Sequence, residues 1–337
     1  MKSVRIGVVG VGSMGRTHVA AFSALPEVTV TSICDADAER LGDVQREFAV
    51  GHVTTDLAQL LASDVDAVVV ATPEHLHLEP TLAALRAGKH VFVEKPFATD
   101  AQEAHRMADA ARKEGLLVMP AHLLRYEPRH RMVKDWLDAQ DRGELISLYL
   151  RRNRPASLFE IYSRVHPAFE LTSHDMDLAL WYAGRRVERV YAVHRQRPGE
   201  RNPHGFWAIA EFEGNTVATF EAVWSTVDEV NLEFGDICEV IAERGTAHVN
   251  IADPGISFWD SDGQASPDPI YGTSSLDVVP LAVHREVQDF VECVRGVRDD
   301  PQVSLEDAVH GIEVIGAMIR SAEQGTPVEL HPDAFSG

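Results

Sequence analysis

An apolar run at the start of the chain, Val4, Ile6, Val8 and Val9, leads directly into Gly10, Val11, Gly12, Ser13, Met14 and Gly15. The polar-poor segment from Arg16 to Leu25 then suits a helix. Strand, glycine turn and helix in that order restrict the fold severely. Gly10 permits the tight turn, Gly12 lets backbone come close to a pyrophosphate, and Gly15 lets helix and strand pack closely with phosphates at the helix N-terminus. A second apolar strand, Val28 to Cys34, ends in Asp35, twenty residues after Gly15. An acid at that place is suited to hydrogen-bond a ribose 2′-hydroxyl. With Asp37 nearby it repels a 2′-phosphate, so NAD is expected as cofactor in preference to NADP, with Arg40 the one residue able to swing toward a phosphate.

A chain of 337 residues exceeds one ordinary core, and two domains are expected. Acids outnumber bases 52 to 31, giving a formal charge of −21, and Lys and Arg form no stripe. Nucleic acid and anionic membranes are therefore unfavoured partners. No run of eighteen apolar residues occurs and the chain enters a strand almost at once, so a cytoplasmic protein is expected. Cys34, Cys238 and Cys293 lie far apart with no ligand spacing, which argues for reduced thiols and no metal site.

After Asp35 helix-like and strand-like segments alternate. Helices are expected over Ala38 to Phe48, Leu76 to Ala87 and from the Asp100 cap to Glu114, with strands over Ala67 to Ala71, His90 to Glu94 and Leu116 to Met119. This is the pattern of a doubly wound parallel sheet. Near His122 it changes. A helix near Pro128 to Leu137 precedes five strand-like segments, Glu144 to Arg152, Val187 to Arg195, Gly205 to Phe212, Thr216 to Trp224 and Leu232 to Ala242, with Gly214 and Asn215 as a hairpin turn. The expected architecture is α/β: a Rossmann domain over 1–121, then an α+β domain over 122–337 with an open, mostly antiparallel sheet. Helices near Val283 to Val294 and Leu305 to Glu323 complete it, and 260–280 reads as a loop.

In a doubly wound sheet ligands sit beyond the carboxyl ends of the strands. Besides the glycine loop, two such ends carry chemistry: Thr72, Pro73 and His77 after one strand, and Glu94, Lys95 and Pro96 after another. Thr72 can donate to a cofactor, and Lys95 is a candidate for proton transfer. In the second domain Glu170, His174, Asp177 and Trp181 share a helical face by their spacing. A histidine between two carboxylates suits general acid–base work; the alternative is a buried histidine satisfied by local acids. The same set lacks a third strong ligand from elsewhere, so no metal is expected. Arg125, Tyr126, Arg152, Arg154, Tyr162, Arg164 and His166 are candidates to line a substrate site, with the arginines suited either to an anion or to solvent.

With these pieces in place, the sequence resembles the Gfo/Idh/MocA oxidoreductase family over nearly its whole length. The residues that carry the resemblance are the Gly10 loop with His18, Asp35, Thr72 and Pro73 to His77, Gly88 to Pro96, Arg125, Tyr126 and Pro128, His174, Asp175 and Asp177, and the ending Ser304 to Val328. The resemblance implies oxidation or reduction of a sugar, inositol or related polyol by NAD(P), in homodimers or homotetramers built through the open sheet, and with Asp35 the expected reaction is NAD-dependent oxidation of a secondary alcohol on a sugar, sugar acid, cyclitol or nucleotide sugar. It implies that Lys95 and His174 flank the reacting carbinol, with His174 as base and Lys95 polarising the hydroxyl. Glu170, Arg125, Tyr126 and Arg164 are then expected to bind substrate. Gly10, Gly12, Ser13, Met14, Gly15, Asp35, Thr72, Pro73, His77, Glu94 and Lys95 are expected to bind the cofactor. The chain departs from the family pattern at three places: Glu170 stands where Asp is common, Glu74 where Asn is common, and Val165 to Phe169 replaces a glycine-rich run. Two other functions remain open on the same fold, a glycoside hydrolase that uses NAD transiently and a non-catalytic NAD-binding regulator.

Overall fold

The alternating pattern resolves into two principal sheets. A computed structural model describes residues 3–139, 142–226, 235–251, 258–260, 263–265 and 280–330. By compactness the chain divides into two units, Met1–Glu127 with Ile270–Val309, and Pro128–Pro269 with His310–Gly337.

The first unit begins with β1 (Val4–Val9), α1 (Ser13–Ser23), β2 (Val28–Cys34), α2 (Ala38–Phe48), β3 (His52–Thr54), α3 (Leu57–Ala62) and β4 (Ala67–Val70). It continues through α4 (Leu78–Arg86), β5 (His90–Val93), α5 (Ala101–Glu114) and β6 (Val118–Pro120). The strands form one parallel sheet in the order β3-β2-β1-β4-β5-β6. Each central strand reads as a continuous apolar run because both faces of such a sheet are covered, as in β4, where all four residues are buried. Asp37, Asp56 and Asp100 cap α2, α3 and α5 by accepting backbone N–H bonds of the first turn, a contribution of about 1 kcal/mol each. The short β3 and α3 were not expected, since three and six residues are too few to show a period.

The second unit contains α6 (Pro128–Asp138), β7 (Leu145–Pro155), α7 (Phe159–Tyr162), a π-helical turn (Ala168–Thr172) and α8 (Ser173–Ala183). The strands β8 (Val187–Arg195), β9 (Gly205–Phe212), β10 (Val217–Thr226), β11 (Gly235–Ala242) and β12 (Gly245–Asn250) follow. A small ribbon pairs β13 (Phe258–Asp260) with β14 (Gly263–Ala265). The loop expected over 260–280 lies for the most part outside the described residues, as does the start of the strand expected from Leu232.

Two helices close the described chain, α9 (Leu281–Val294) and α10 (Leu305–Gln324), before β15 (Val328–Glu329). The large sheet runs β12-β11-β7-β10-β9-β8-β15 and is antiparallel except where β10 runs parallel to β7. Strict alternation in β9, with Phe206, Ala208, Ala210 and Phe212 buried, marks one covered face. The β9–β10 connection turns through Gly214 at φ +78° and Asn215 at φ +69°, left-handed positions that glycine and asparagine tolerate best.

α9 belongs to the first unit although it follows the second in sequence. Ala282, Val283, Val287, Phe290 and Val291 supply its apolar face to the core formed by β1, β2, β4 and α1. Phe290 meets Phe22 and Phe92 edge to face at 6.2 and 5.5 Å, a preferred geometry for aromatic pairs. Compactness therefore groups residues across the boundary that sequence order placed at 121/122.

Candidate active site

In the first unit, register puts Cys34, Val9, Val70, Val93 and Pro120 in one row. The residues just beyond them form the carboxyl rim of the sheet, where ligands bind in this architecture. At the centre of the rim the glycine loop meets the end of β4. A Cβ on Gly10, which has φ +84°, would lie 2.6 Å from the Ala71 carbonyl oxygen, and one on Gly15 would lie 1.9 Å from that of Gly10. A Cβ on Gly12 would meet nothing within 4 Å. Two glycines are thus closed by backbone while the middle one faces open space at the N-terminus of α1, an arrangement suited to phosphate.

Asp35 and Thr72 flank this cradle. Asp35 accepts the Val11 N–H at 2.8 Å and the Asp37 N–H at 2.9 Å, and Arg40 reaches both of its oxygens at 3.1 and 3.2 Å. Arg40 also pairs with Asp37. The arginine is thus turned toward two carboxylates, which fits NAD better than a 2′-phosphate. Thr72 Oγ1 is buried with no partner among the described residues, a state that costs about 1–3 kcal/mol and that a bound polar group relieves. Gly12, Thr72 and Asp35 together fit a dinucleotide.

The lysine-bearing loop hangs on buried groups. Glu94 Oε1 accepts from His18 Nε2 at 2.6 Å, and Glu94 Oε2 accepts the Lys95 N–H at 2.9 Å. Burial pushes the Glu94 carboxyl up, but His18 and Lys95 outweigh it and hold the group below its ordinary range. His18 packs edge-on to Phe92 at 5.1 Å. His77, 1% exposed, sets its two ring nitrogens against the Thr72 carbonyl at 2.9 Å and the Pro96 carbonyl at 3.0 Å. Burial lowers the His77 pKa while those carbonyls and Glu94 pull it upward. The ring therefore ties the Thr72 loop to the Lys95 loop. Lys95 itself is half-buried.

In the second unit the segment from Val165 to Tyr182 is buried almost throughout, and its partly exposed positions are His166, Glu170, His174 and Trp181. The first three recur every fourth residue, so one line of side chains emerges from a buried helical segment. The helix expected to carry Glu170 begins at Ser173, and Glu170 sits in the preceding π-helical turn. Asp177, expected on the same face, is 4% exposed. Apolar neighbours Leu171, Met176 and Leu178 anchor the segment.

The helix is held from below by charge. Arg152 on β7 donates to Asp175 at 2.8 Å and to Asp236 on β11 at 2.5 Å, and Arg154 donates to both oxygens of Asp236 at 2.5 and 3.2 Å. Burial raises the pKa of both acids, and it prevails at Asp175, whereas the two arginines prevail at Asp236 and lower it. Two arginines and two carboxylates make a nearly neutral buried cluster. The remaining arginines proposed for a substrate are also engaged: Arg125, 2% exposed, donates to Asp307 and to the Gln302 carbonyl at 2.9 Å each. Tyr126 donates to Asp289 at 2.6 Å. Arg164 lies over the Tyr162 ring at 5.7 Å and donates to the Ile161 carbonyl.

Sequence reasoning missed the His18–Glu94 pair and the Arg152, Asp175 and Asp236 cluster. The second left a signal: Leu148, Leu150, Arg152 and Arg154 alternate onto one strand face, so two apolar residues predict that the two arginines are buried. Among the described residues no group of three metal-ligating side chains occurs, and no helix is long and apolar enough to cross a membrane.

These features define a nicotinamide-dependent oxidoreductase. A family model described as "Oxidoreductase family, NAD-binding Rossmann fold" matches residues 4–122, and one described as "GFO/IDH/MocA C-terminal domain" matches 130–248. The chain belongs to the Gfo/Idh/MocA oxidoreductase family. It is 31% identical to inositol 2-dehydrogenase 1 of Saccharopolyspora erythraea, over 97% of this chain and 96% of that one. It is 30% identical to the 4-carboxy-2-hydroxymuconate-6-semialdehyde dehydrogenase of a Sphingobium species, over 96% of this chain and all of that one. A solved structure of scyllo-inositol dehydrogenase from Lactobacillus casei, with NAD(H) and scyllo-inositol bound, shares the fold at a TM-score of 0.84 and 21% identity, over 97% of this chain and 99% of that one.

Proposed function

We propose that this oxidoreductase acts on a secondary alcohol of a cyclic polyol or sugar, with His174 as proton acceptor and Lys95 as the residue that polarises the hydroxyl. The observation that carries the reading is the accessible line of Glu170 and His174 on an otherwise buried helical segment. A partly exposed histidine on such a segment can be reached by a substrate, and the ordinary pKa range of a histidine side chain suits proton transfer. NAD supplies, when bound, the nicotinamide ring that takes the carbinol hydrogen as hydride. Gly10, Gly12, Ser13, Met14 and Gly15 hold its pyrophosphate, Asp35 its ribose, and Thr72 and Pro73 the part beyond β4. His77 and Glu94 keep that wall and Lys95 in register. Glu170 and Arg164 bind substrate hydroxyls, and Arg125 and Tyr126 fix the segment after β6.

The first unit, residues 1–127 with 270–309, serves as the cofactor domain, and the second as the substrate and oligomerisation domain. Tyr191, Val193 and Ile209 are 41, 45 and 43% exposed on the uncovered face of the large sheet, which supports a homodimer or homotetramer assembled through that face in the cytoplasm.

The test is NADH formation on a panel of inositols, aldoses, sugar acids and nucleotide sugars, with NAD and NADP in parallel. His174→Ala is expected to lower kcat by about a hundredfold to ten-thousandfold while NAD affinity is unchanged. Equal turnover in that variant removes His174 from the chemistry. Silence of the wild type across the panel, with NAD retained through purification, selects a hydrolase or a sensor instead.

A further inference from the structure

The accessible line does not stop at Glu170. One turn earlier it reaches His166, in the stretch that replaces the glycine-rich run of related chains, and the Glu170 N–H bonds back to the His166 carbonyl at 3.2 Å. The ring state of His166 is fixed by its own backbone. Nδ1 accepts the Ala168 N–H at 3.1 Å, so the single proton of the neutral ring resides on Nε2. Burial first, and then the nearby His194, bring the pKa of His166 down to about 3, so the ring is neutral at any physiological pH. The ring stands edge-on to Phe206 at 5.2 Å, which fixes its plane.

Two atoms remain without partners. His166 Nε2 and, on β8, His194 Nδ1 are both buried with no hydrogen-bond partner among the described residues. The ring centres are 6.3 Å apart, too far for a direct bond between rings but suited to one oxygen bridging two N···O contacts of about 2.9 Å. A buried donor beside a second unpaired nitrogen calls for a group that accepts and donates at once, which a hydroxyl does and a carboxylate does not. The buried Arg152 and Arg154 are already neutralised by Asp175 and Asp236.

We propose that His166 and His194 form a hydroxyl-recognising subsite that extends the Glu170 and His174 line, in which the His166 Nε2–H donates to one hydroxyl of an uncharged polyol and His194 Nδ1 accepts from it. The proposal rests on the reading of His174 as the group that works on the polyol, and it adds a specificity contact about two helical turns away. The subsite reads a hydroxyl that is not the one oxidised, and it selects cyclitols and neutral sugars over sugar acids.

The side-chain series tests it. His166→Asn keeps an acceptor for the Ala168 N–H but cannot reach the bridging position; His166→Gln carries an amide N–H to where Nε2 stands; His166→Phe keeps the contact with Phe206 and loses both polar atoms. With myo-inositol and its monodeoxy analogues as probes and NAD saturating, the wild type is expected to disfavour one analogue by about ten- to a hundredfold in kcat/KM. His166→Asn and His166→Phe should erase that one preference and leave the others, and His166→Gln should restore part of it. A loss uniform across all analogues would overturn the proposal.

Binding is read independently from the ¹⁵N–¹H signal of the His166 ring in NAD-loaded protein as myo-inositol, scyllo-inositol or glucose is added. A shift without turnover keeps the subsite and sinks the dehydrogenase reading. No shift with any of the three sinks the subsite, whatever turnover shows.

Discussion

The two units of the chain hold their candidate site residues with different materials. The rim of the first unit is shaped largely by backbone, through strand register, three glycines and the carbonyls that His77 spans, with the His18–Glu94 pair added under the Lys95 loop. The helix that carries His174 is held by buried side-chain charge on Arg152, Arg154, Asp175 and Asp236. Backbone geometry is set by residues that can be recognised one at a time, and it tolerates most changes around it. A charge cluster is a balance among residues far apart in sequence, and removing one member leaves the others buried and unpaired.

The sharpest way to break this contrast is Asp175→Asn. Arg152 then loses one of its two carboxylates in a buried place, and denaturant unfolding is expected to show a loss of about 3–5 kcal/mol. A loss under 1 kcal/mol would mean that the cluster does not support the helix. Next in size is Gly15→Ala, whose new Cβ would collide with the Gly10 carbonyl. Overpacking against backbone is expected to cost about 1–3 kcal/mol, with NAD affinity falling in parallel as the helix start is pushed off the strand. Stability lost with NAD affinity intact would separate the turn from the cofactor.

The third prediction uses pH. Burial brings the pKa of His130 down to about 3, with Arg152 and Arg129 adding to it, against an unfolded value near 6.5. A group depressed in the folded state binds its proton more readily when unfolded. Its contribution is therefore complete above about pH 6.5 and is lost as pH falls toward 3, amounting to about 2 kcal/mol at pH 5. His130 also exchanges hydrogen bonds with Tyr182. His130→Phe should be less stable at pH 7 yet show a flatter decline from pH 7 to 5; parallel curves would exclude this histidine as a source of acid sensitivity. Smallest is Thr72→Val, an isostere that removes the orphaned hydroxyl. NAD affinity is expected to fall about fivefold, near 1 kcal/mol, and no change in titration would show that Oγ1 does not meet the cofactor.

The same contrast explains what could be read from the sequence. The helices over Ala38–Phe48 and Ala101–Glu114 and the strands of the parallel sheet were legible because caps and apolar runs are local signals. The hairpin at Gly214 and Asn215 was legible for the same reason. The π-helical turn at Ala168–Thr172 was not, because helical spacing alone cannot tell one extra residue per turn from none. Nor was the burial of Asp177 legible, since i, i+3 spacing from His174 does not say which of the two faces the covering residues. The role of Glu94 also escaped a linear reading. Its partner His18 lies 76 residues away, and nothing local ties the two.

The place of α9 has a consequence for synthesis. Phe290 lies between Phe22 and Phe92 in the core of the first unit, yet the strands β7 to β12 of the second unit are made before it. On the ribosome the N-terminal half therefore waits with an apolar seam unsealed while the later half emerges and can fold. A nascent chain stopped before residue 281 keeps that seam open to water. The unit that carries the glycine loop is encoded first, and its core is completed by one of the last helices of the described chain.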